Sequence, residues 1–207
     1  MSLIRVFLAD DHPPLRMGLR VLLEQARDMH VIGESGNGHD ALRQIQALCP
    51  DIAVIDCQLP DLEGVQVAAE IKRRGIPTRV LALSSFAEER YVRGMLEADA
   101  AGYLLKEEAP ERIVEAVRAA ARGESTFSAK ISKMIADWRQ GKRPYNLSER
   151  EILILRLLGS GKPNKEIAVE LGNSEKTVEK YLAELFKKLG VATRVEAAVK
   201  AVREGLV

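Results

Sequence analysis

Short β-branched runs alternate with stretches of helical spacing throughout residues 1–123. Five strands that alternate with five helices predict a parallel sheet with helices on both faces. The predicted strands are Ile4–Ala9, Val31–Glu34, Ile52–Ile55, Arg79–Leu83 and Gly102–Leu105, and the predicted helices lie near 14–26, 39–48, 63–74, 88–98 and 110–122. We therefore predict an α/β fold: a doubly wound, five-stranded parallel sheet with the strand order 2-1-3-4-5.

The alternation stops after Gly123. Residues 124–146 contain Gly141, Pro144 and one possible helix near 128–139, and from Leu147 onward the pattern is only helical, with turn signals between four short helices. The net charge is −4 over residues 1–123, +3 over 124–146 and +2 over 147–207. We predict an α/β domain at 1–123, a partly helical linker at 124–146 and a small all-α domain at 147–207.

Composition excludes several classes of protein. No apolar run approaches the roughly 18–20 residues of a membrane span, and the first residues enter a short strand that soon meets two aspartates, unlike a secretory signal. The two cysteines, Cys49 and Cys57, are too few for a disulfide framework or a four-cysteine zinc site. A net charge of +1 excludes a strongly basic nucleic-acid-coating protein. We expect a cytoplasmic protein without a membrane partner.

Polar side chains follow the predicted strands at their carboxyl ends, where open parallel sheets bind ligands. Asp10 and Asp11 follow strand one, Asp56 follows strand three, Ser84 follows strand four and Lys106 follows strand five. One such aspartate is more often a helix cap, but five residues so placed are hard to explain as caps. Converging carboxylates need a hard divalent cation such as Mg²⁺, and a lysine suits a phosphate. The set predicts a carboxylate that accepts a phosphoryl group.

These residues resemble the receiver domain of a two-component response regulator over residues 3–122. The resemblance is carried by Asp10-Asp11-His12-Pro13, by Asp56 with Pro60 and Gly64, by Ser84 and by Gly102-Tyr103-Leu104-Leu105-Lys106. It implies that a partner histidine kinase phosphorylates Asp56 and that Lys106 contacts the phosphoryl group.

The resemblance also implies a metal site and a switch. Mg²⁺ would be held by Asp11, Asp56 and the backbone carbonyl of Gln58, with Asp10 reaching it through water. Ser84 and Tyr103 would shift together on phosphorylation.

Three other features of this half have alternative interpretations. Gly36–Ala41 follows a strand as in a dinucleotide fingerprint, with Asp56 about 20 residues on, but that reading leaves the other carboxylates and the lysine without a role. We interpret its glycines as turn residues. His12 could be a metal ligand, but Pro13 follows it at a helix start, so we expect a capping or surface role. Cys57 is expected to be a small filler rather than a redox centre.

The C-terminal region has the spacing of a helix-turn-helix. Ser148 and Glu151 form a predicted capping box, Asn164–Ala168 opens a second helix that ends at Gly172, and Ser174 caps a longer third helix. In a helix-turn-helix the second helix of the motif enters the DNA major groove. Here the motif consists of the second and third predicted helices, so the third would be the recognition helix.

Residues 147–202 resemble the LuxR-type C-terminal domain of NarL/FixJ regulators. The resemblance is carried by Leu147-Ser148-Glu149-Arg150-Glu151, Asn164-Lys165-Glu166-Ile167-Ala168, Ser174-Glu175-Lys176-Thr177-Val178, Lys188-Leu189-Gly190-Val191 and Arg194-Val195-Glu196-Ala197-Ala198. It implies double-stranded DNA as a partner and a homodimer on activation, often through the last helix. The candidate DNA contacts are Lys165, Lys176, Thr177, Glu179, Lys180, Tyr181, Lys187 and Lys188.

The recognition helix departs from its family at three positions. Glu179 and Tyr181 stand where relatives often carry lysine and histidine, and Ala183 stands where some relatives carry a lysine that contacts a base or a phosphate. Residues 174–189 hold four lysines and three glutamates, a net charge of +1. Because phosphate contacts supply most non-specific affinity, we expect weaker binding than by a more basic helix.

We therefore predict a phosphorylation-switched transcription regulator. The alternative is a phosphorylation-independent or protein-interaction regulator with weakened or assisted DNA binding. A hydrolase that uses an aspartyl-phosphate would need a second acid two residues beyond Asp56, where Gln58 stands. We therefore expect no enzyme beyond Mg²⁺-dependent self-phosphorylation and slow self-dephosphorylation.

Overall fold

The computed structural model describes residues 3–108, 110–140, 145, 147–204 and 206–207. It divides into two compact units. The α/β unit runs to Ala87 and continues over Tyr91–Lys133, and the helical unit comprises Glu88–Arg90 and Met134–Val207. Within the described residues, no helix has both the length and the apolar character needed to cross a bilayer.

The predicted alternation of strands and helices is confirmed. The strands are β1 (Ile4–Ala9), β2 (Met29–Ser35), β3 (Ile52–Asp56), β4 (Arg79–Ser84), β5 (Gly102–Leu105) and β6 (Thr126–Phe127). The helices that follow them are α1 (Pro13–Gln25), α2 (Gly38–Leu48), α3 (Gly64–Arg73), α4 (Glu89–Glu97), α5 (Pro110–Ala121) and α6 (Ala129–Arg139). All strand pairs are parallel, in the order β2-β1-β3-β4-β5-β6.

The core of the α/β unit lies on the faces of the central strands. Every residue of β3 is buried, and the apolar run Ile52–Ile55 predicts this for its first four residues. Leu19 and Leu23 of α1 and Ile113 and Val117 of α5 pack into the same hydrophobic cluster, since their spacing places them on one helical face.

The prediction of five strands is wrong by one: β6 adds a sixth strand to the sheet. Thr126 pairs with Gly102, and Phe127 pairs with Tyr103. A two-residue strand is too short to show a period in the sequence, which therefore predicts a linker there. Gly102 permits the approach, because a Cβ atom there would lie 2.2 Å from the carbonyl oxygen of Thr126.

Two glycines allow the loop between β3 and α3 to pack tightly. A Cβ atom on Gly64 would lie 2.0 Å from the backbone oxygen of Asp56, and one on Gly38 would lie 1.9 Å from that of Leu62. The N–H groups of Gly38 and His39 donate to Asp61 Oδ1 at 3.0 and 3.2 Å, so this loop caps the start of α2. Gly38, which resembles part of a dinucleotide fingerprint in the sequence, therefore allows a close contact with the backbone of Leu62.

The helical unit contains α7 (Glu149–Gly159), α8 (Asn164–Leu171), α9 (Glu175–Leu189) and α10 (Arg194–Arg203). The predicted capping box of Ser148 and Glu151 is present, and Ser174 caps α9 by accepting from the N–H of Thr177. Gly172 ends α8 with a φ of 62°, a left-handed conformation that glycine adopts without strain. The core includes Ile154, Leu155, Ile167, Val178, Leu182, Leu185, Leu189, Ala197 and Ala201.

Candidate functional site

The residues expected at the strand ends lie together at the carboxyl edge of the sheet. Asp10 follows β1, Asp56 and Ser84 end β3 and β4, and all three are buried. The Nζ atom of Lys106, which follows β5, lies 2.7 Å from Asp10 Oδ2 and 2.7 Å from Asp56 Oδ2. The structure therefore joins two carboxylates and one ammonium group from three different strand ends.

Asp11 and His12 complete a cluster of potential metal ligands. One ligand atom from each of Asp10, Asp11, His12 and Asp56 lies within 4.8 Å of the others. The three carboxylates and Lys106 carry a formal charge of −2 together, which matches a divalent cation in magnitude. Carboxylate oxygens are the donors that Mg²⁺ prefers, so this donor set fits the expected metal.

His12 occupies the N-cap position of α1 without a side-chain capping bond. Its side chain is 69% exposed, and Nδ1 lies 2.5 Å from Asp11 Oδ1. Of the two expected roles, capping and surface, the surface role is the one that its side chain has. Its backbone N–H donates to Asp10 Oδ1 at 2.8 Å and so helps to fix that carboxylate.

Burial and charge oppose one another at this edge. Burial raises the pKa of the Asp56 carboxyl, although Lys106 and the N–H of Gln58, which donates to Asp56 Oδ1 at 3.1 Å, both act to lower it. Burial acts to lower the pKa of Lys106, but the carboxylates of Asp10 and Asp56 outweigh it and raise that pKa. The lysine is thus held in its charged form beside the proposed acceptor.

The two expected switch residues meet at one loop residue, Phe86. The hydroxyl of Tyr103 donates to the backbone oxygen of Phe86 at 2.7 Å, and Ser84 Oγ accepts from the N–H of Phe86 at 3.2 Å. Both side chains are buried. Cys57 is also buried, as a small filler side chain would be, and burial raises the pKa of its thiol to about 12.

Sequence reasoning missed three residues that support this edge. Arg16 donates to the backbone oxygen of Asp10, Asp61 fixes the loop after Asp56 to α2, and Ser128 Oγ accepts from the N–H of Leu105 at 2.9 Å. The contacts of Asp61 and Ser128 join segments 23 residues apart, and the Arg16 contact spans six residues across the turn between β1 and α1, so no periodicity reveals them. An aspartate in a turn is a signal for Asp61, because Asp tolerates the left-handed φ of 65° found there.

Three of the candidate DNA contacts on α9 lie on the side of the helix opposite the core. Val178, Leu182, Leu185 and Leu189 face the core. At 100° per residue, the opposite stripe holds exposed residues, namely Lys176, Lys180, Ala183 and Lys187.

The remaining candidate DNA contacts lie outside this exposed stripe. Glu179 is exposed, and Thr177 Oγ1 lies 2.8 Å from Ser174 Oγ. Tyr181 and Lys188 contact the first turn of α7. Lys165 is exposed near the start of α8.

The chain matches two known families. Residues 6–118 match the response regulator receiver domain, and residues 145–201 match the luxR family of bacterial regulatory proteins. The chain is 37% identical to the transcriptional regulatory protein LiaR of Bacillus subtilis over 99% of its own length and 100% of that protein. It is 34% identical to the nitrate/nitrite response regulator protein NarL of Escherichia coli K12, over 94% and 93%.

Solved structures of similar proteins cover both units. The response regulator ChrA of a heme-sensing two-component system is 34% identical over the full length of both chains, with a TM-score of 0.58. A structure of RcsB dimers bound to DNA is 26% identical with a TM-score of 0.75, over 98% of this chain and 99% of that one. The receiver match covers more than half of the chain, and the relatives span nearly all of it. The chain belongs to the response regulators that combine a receiver domain with a LuxR-type helix-turn-helix domain, a family of two-component transcriptional regulators.

Proposed function

We propose that a histidine kinase phosphorylates Asp56 and that the phosphoryl group controls DNA binding by α9. The observation that carries this proposal is the ion pairing of Lys106 with both Asp10 and Asp56 at a buried sheet edge. A carboxylate there is held in place, and it has a cation beside it for the incoming oxyanion.

The chemistry requires one bond exchange. An oxygen of Asp56 forms a bond to phosphorus while the bond from phosphorus to the kinase's histidine nitrogen breaks. Lys106 lies close enough to Asp56 to contact the transferred phosphoryl oxygens. Asp10, Asp11, Asp56 and the backbone carbonyl of Gln58 would hold Mg²⁺, which offsets negative charge on the phosphoryl group when it is bound.

The switch is proposed to act through Phe86. Ser84 and Tyr103 both bond to its backbone, so movement of either side chain changes the same loop. A phosphoryl group at Asp56 would favour the arrangement in which Ser84 and Tyr103 move toward it. This changes the surface that the receiver presents to its partners.

The family is not a class of enzymes in the ordinary sense. We propose only slow self-phosphorylation from small phosphodonors and slow self-dephosphorylation. The side-chain nitrogen of Gln58 bonds to the hydroxyl of Tyr91 at 3.3 Å, and a glutamine cannot act as a general acid. This is the reason why rapid hydrolysis is not expected.

We propose the domain limits 1–123, 124–146 and 147–207 for receiver, linker and DNA-binding domain. DNA as the partner would place the protein in the cytoplasm. The proposed contacts to DNA are Lys165, Lys176, Thr177, Glu179, Lys180, Tyr181, Lys187 and Lys188.

A homodimer on activation is proposed through α10. Val195, Val199 and Val202 are 70%, 58% and 63% exposed, and they recur at helical spacing along one side of α10. A dimer would set two recognition helices about one DNA turn apart.

The test combines phosphorylation with DNA binding. Acetyl phosphate and Mg²⁺ should add the mass of one phosphoryl group to the parent chain and to Asp99→Asn, a control with an exposed aspartate, but not to Asp56→Asn. Beryllofluoride with Mg²⁺ should then raise the affinity of the parent, and not of Asp56→Asn, for duplex DNA. An unchanged response of Asp56→Asn would refute Asp56 as the acceptor. DNA binding that ignores phosphorylation would favour the phosphorylation-independent alternative.

A further inference from the structure

The first turn of α7 lies against one flank of the recognition helix α9. Arg150 Nη1 donates to the hydroxyl of Tyr181 at 3.0 Å, and the guanidinium carbon lies 5.4 Å from the centroid of the Tyr181 ring. A hydrogen bond and a cation–π contact therefore fix the same guanidinium group. One residue further on, Glu151 Oε1 lies 2.8 Å from Lys188 Nζ.

The helical spacing places these contacts beside the face that is proposed to meet DNA. Lys176, Lys180 and Lys187 form the stripe opposite the core. Tyr181 and Lys188 lie seven residues apart, so they share a flank between that stripe and the core. Arg150 therefore brings a cation from α7 to the flank of α9.

The two contacts differ in what they do to the charge. Lys188 pairs with a carboxylate, which offsets its positive charge. Arg150 donates to a tyrosine hydroxyl, which supplies no carboxylate to offset its charge. Tyr181 occupies one of the five N–H donors of the guanidinium, and the planar fork of such donors suits a phosphate.

We propose that Arg150 binds a DNA phosphate beside the recognition helix, and that Tyr181 is the positioning residue that holds Arg150 there. This inference rests on the proposed function, in which α9 meets DNA, and it assigns the contact to a residue outside α9. It also changes the role of Tyr181 from a DNA contact to a support. An exposed Arg–Tyr pair adds little to folding stability, so the informative measurement is the salt dependence of DNA binding.

The first experiment uses the full chain and a mixed-sequence duplex of about three helical turns. Arg150→Gln should reduce the slope of log K against log salt by about 0.9 and weaken binding roughly tenfold at low salt, since one phosphate contact is lost. Arg150→Lys keeps a cation and should keep most of the slope. Arg156→Gln is the control, because it makes the same charge change on an exposed residue of α7 that faces a different direction.

The second experiment tests the support by Tyr181. Tyr181→Phe keeps the ring and removes the hydroxyl, so it should weaken DNA binding in the parent but not in Arg150→Gln. Equal losses in both backgrounds would show that Tyr181 contacts DNA itself and would overturn its positioning role. Circular dichroism of each variant checks that the helices are retained.

The outcomes separate the two proposals. A parent chain that fails to bind the duplex even at low salt removes the proposed DNA binding, and the role of Arg150 falls with it. A parent that binds while Arg150→Gln keeps the same slope as Arg156→Gln overturns only the role of Arg150. A reduced slope for Arg150→Gln alone supports it.

Discussion

The receiver edge and the recognition helix achieve function with opposite physical means. At the receiver edge, Asp10, Asp56 and Ser84 are buried, and Lys106 is held by two ion pairs. On α9, the lysine stripe is exposed and its members point away from the core. Buried charges need exact partners, so sequence change there is costly, whereas an exposed stripe can lose a charge with little effect on folding. This difference makes α9 more tolerant of charge substitutions than the receiver edge is.

The largest contrast is expected from removing one lysine in each region. Lys106→Met leaves the buried carboxylates of Asp10 and Asp56 without their cation, which should lower the free energy of unfolding by about 3–5 kcal/mol. Lys180→Met makes the same change on the exposed stripe and should alter that free energy by less than about 0.5 kcal/mol. Urea-dependent hydrogen exchange at β3 and α9 amides measures both losses.

A second change separates charge from packing at the receiver edge. Asp10→Asn combined with Lys106→Met should recover part of the lost stability, because one of the two uncompensated carboxylates is removed. Equal stabilities for Lys106→Met and Lys180→Met would contradict the contrast and indicate that water solvates the receiver edge as freely as α9.

A smaller effect is expected from Ser128, the residue directly after β6, whose hydroxyl bonds to the last residue of β5. Ser128→Ala removes the acceptor of the buried Leu105 N–H, which should cost about 1–3 kcal/mol. Faster hydrogen exchange at Leu105 and Lys106 should accompany the loss, because both lie where β5 ends. The exposed Ser132, in the first turn of α6, provides the control Ser132→Ala, which should leave this exchange unchanged.

On the recognition helix, adding a charge should alter binding more than folding. Ala183→Lys adds a lysine to the exposed stripe and should steepen the salt dependence of DNA binding by about 0.9, with several-fold tighter binding at low salt. Repulsion from Lys180 and Lys187 should cost only a few tenths of a kcal/mol. The control Ala192→Lys adds the same charge after the end of α9. Equal gains from both would show that net charge, and not position on the stripe, sets the affinity.

The receiver edge and the surroundings of the recognition helix also differ in how far the sequence predicts them. The receiver edge follows from topology, because parallel strands bring their carboxyl ends to one side and place Asp10, Asp56 and Lys106 together. The strand β6 could not be predicted, because two residues carry no period. The hydrogen bond of Ser128 could not be predicted either, because Ser128 follows directly after that strand. The pairing of Arg150 with Tyr181 spans 31 residues and depends on how α7 packs on α9. Spacing rules describe one helix at a time and cannot give such a contact.

The smallest effect concerns pH and the contact between α7 and α9. Burial acts to raise the pKa of Glu151, but Lys188 and the Ser148 cap outweigh it and lower that pKa. A carboxyl with a lowered pKa stabilises the folded state above its unfolded pKa of about 4.3, and this contribution disappears as the pH falls through the folded value. Glu151→Gln can keep the capping box but not the charge. It should cost the helical unit less than about 1 kcal/mol at pH 7, and nothing once the parent's Glu151 is protonated. Hydrogen exchange of α9 amides at pH 7 and in acid measures the difference, and an equal loss at both pH values would mean that packing at Glu151, rather than its ion pair with Lys188, holds α7 to α9.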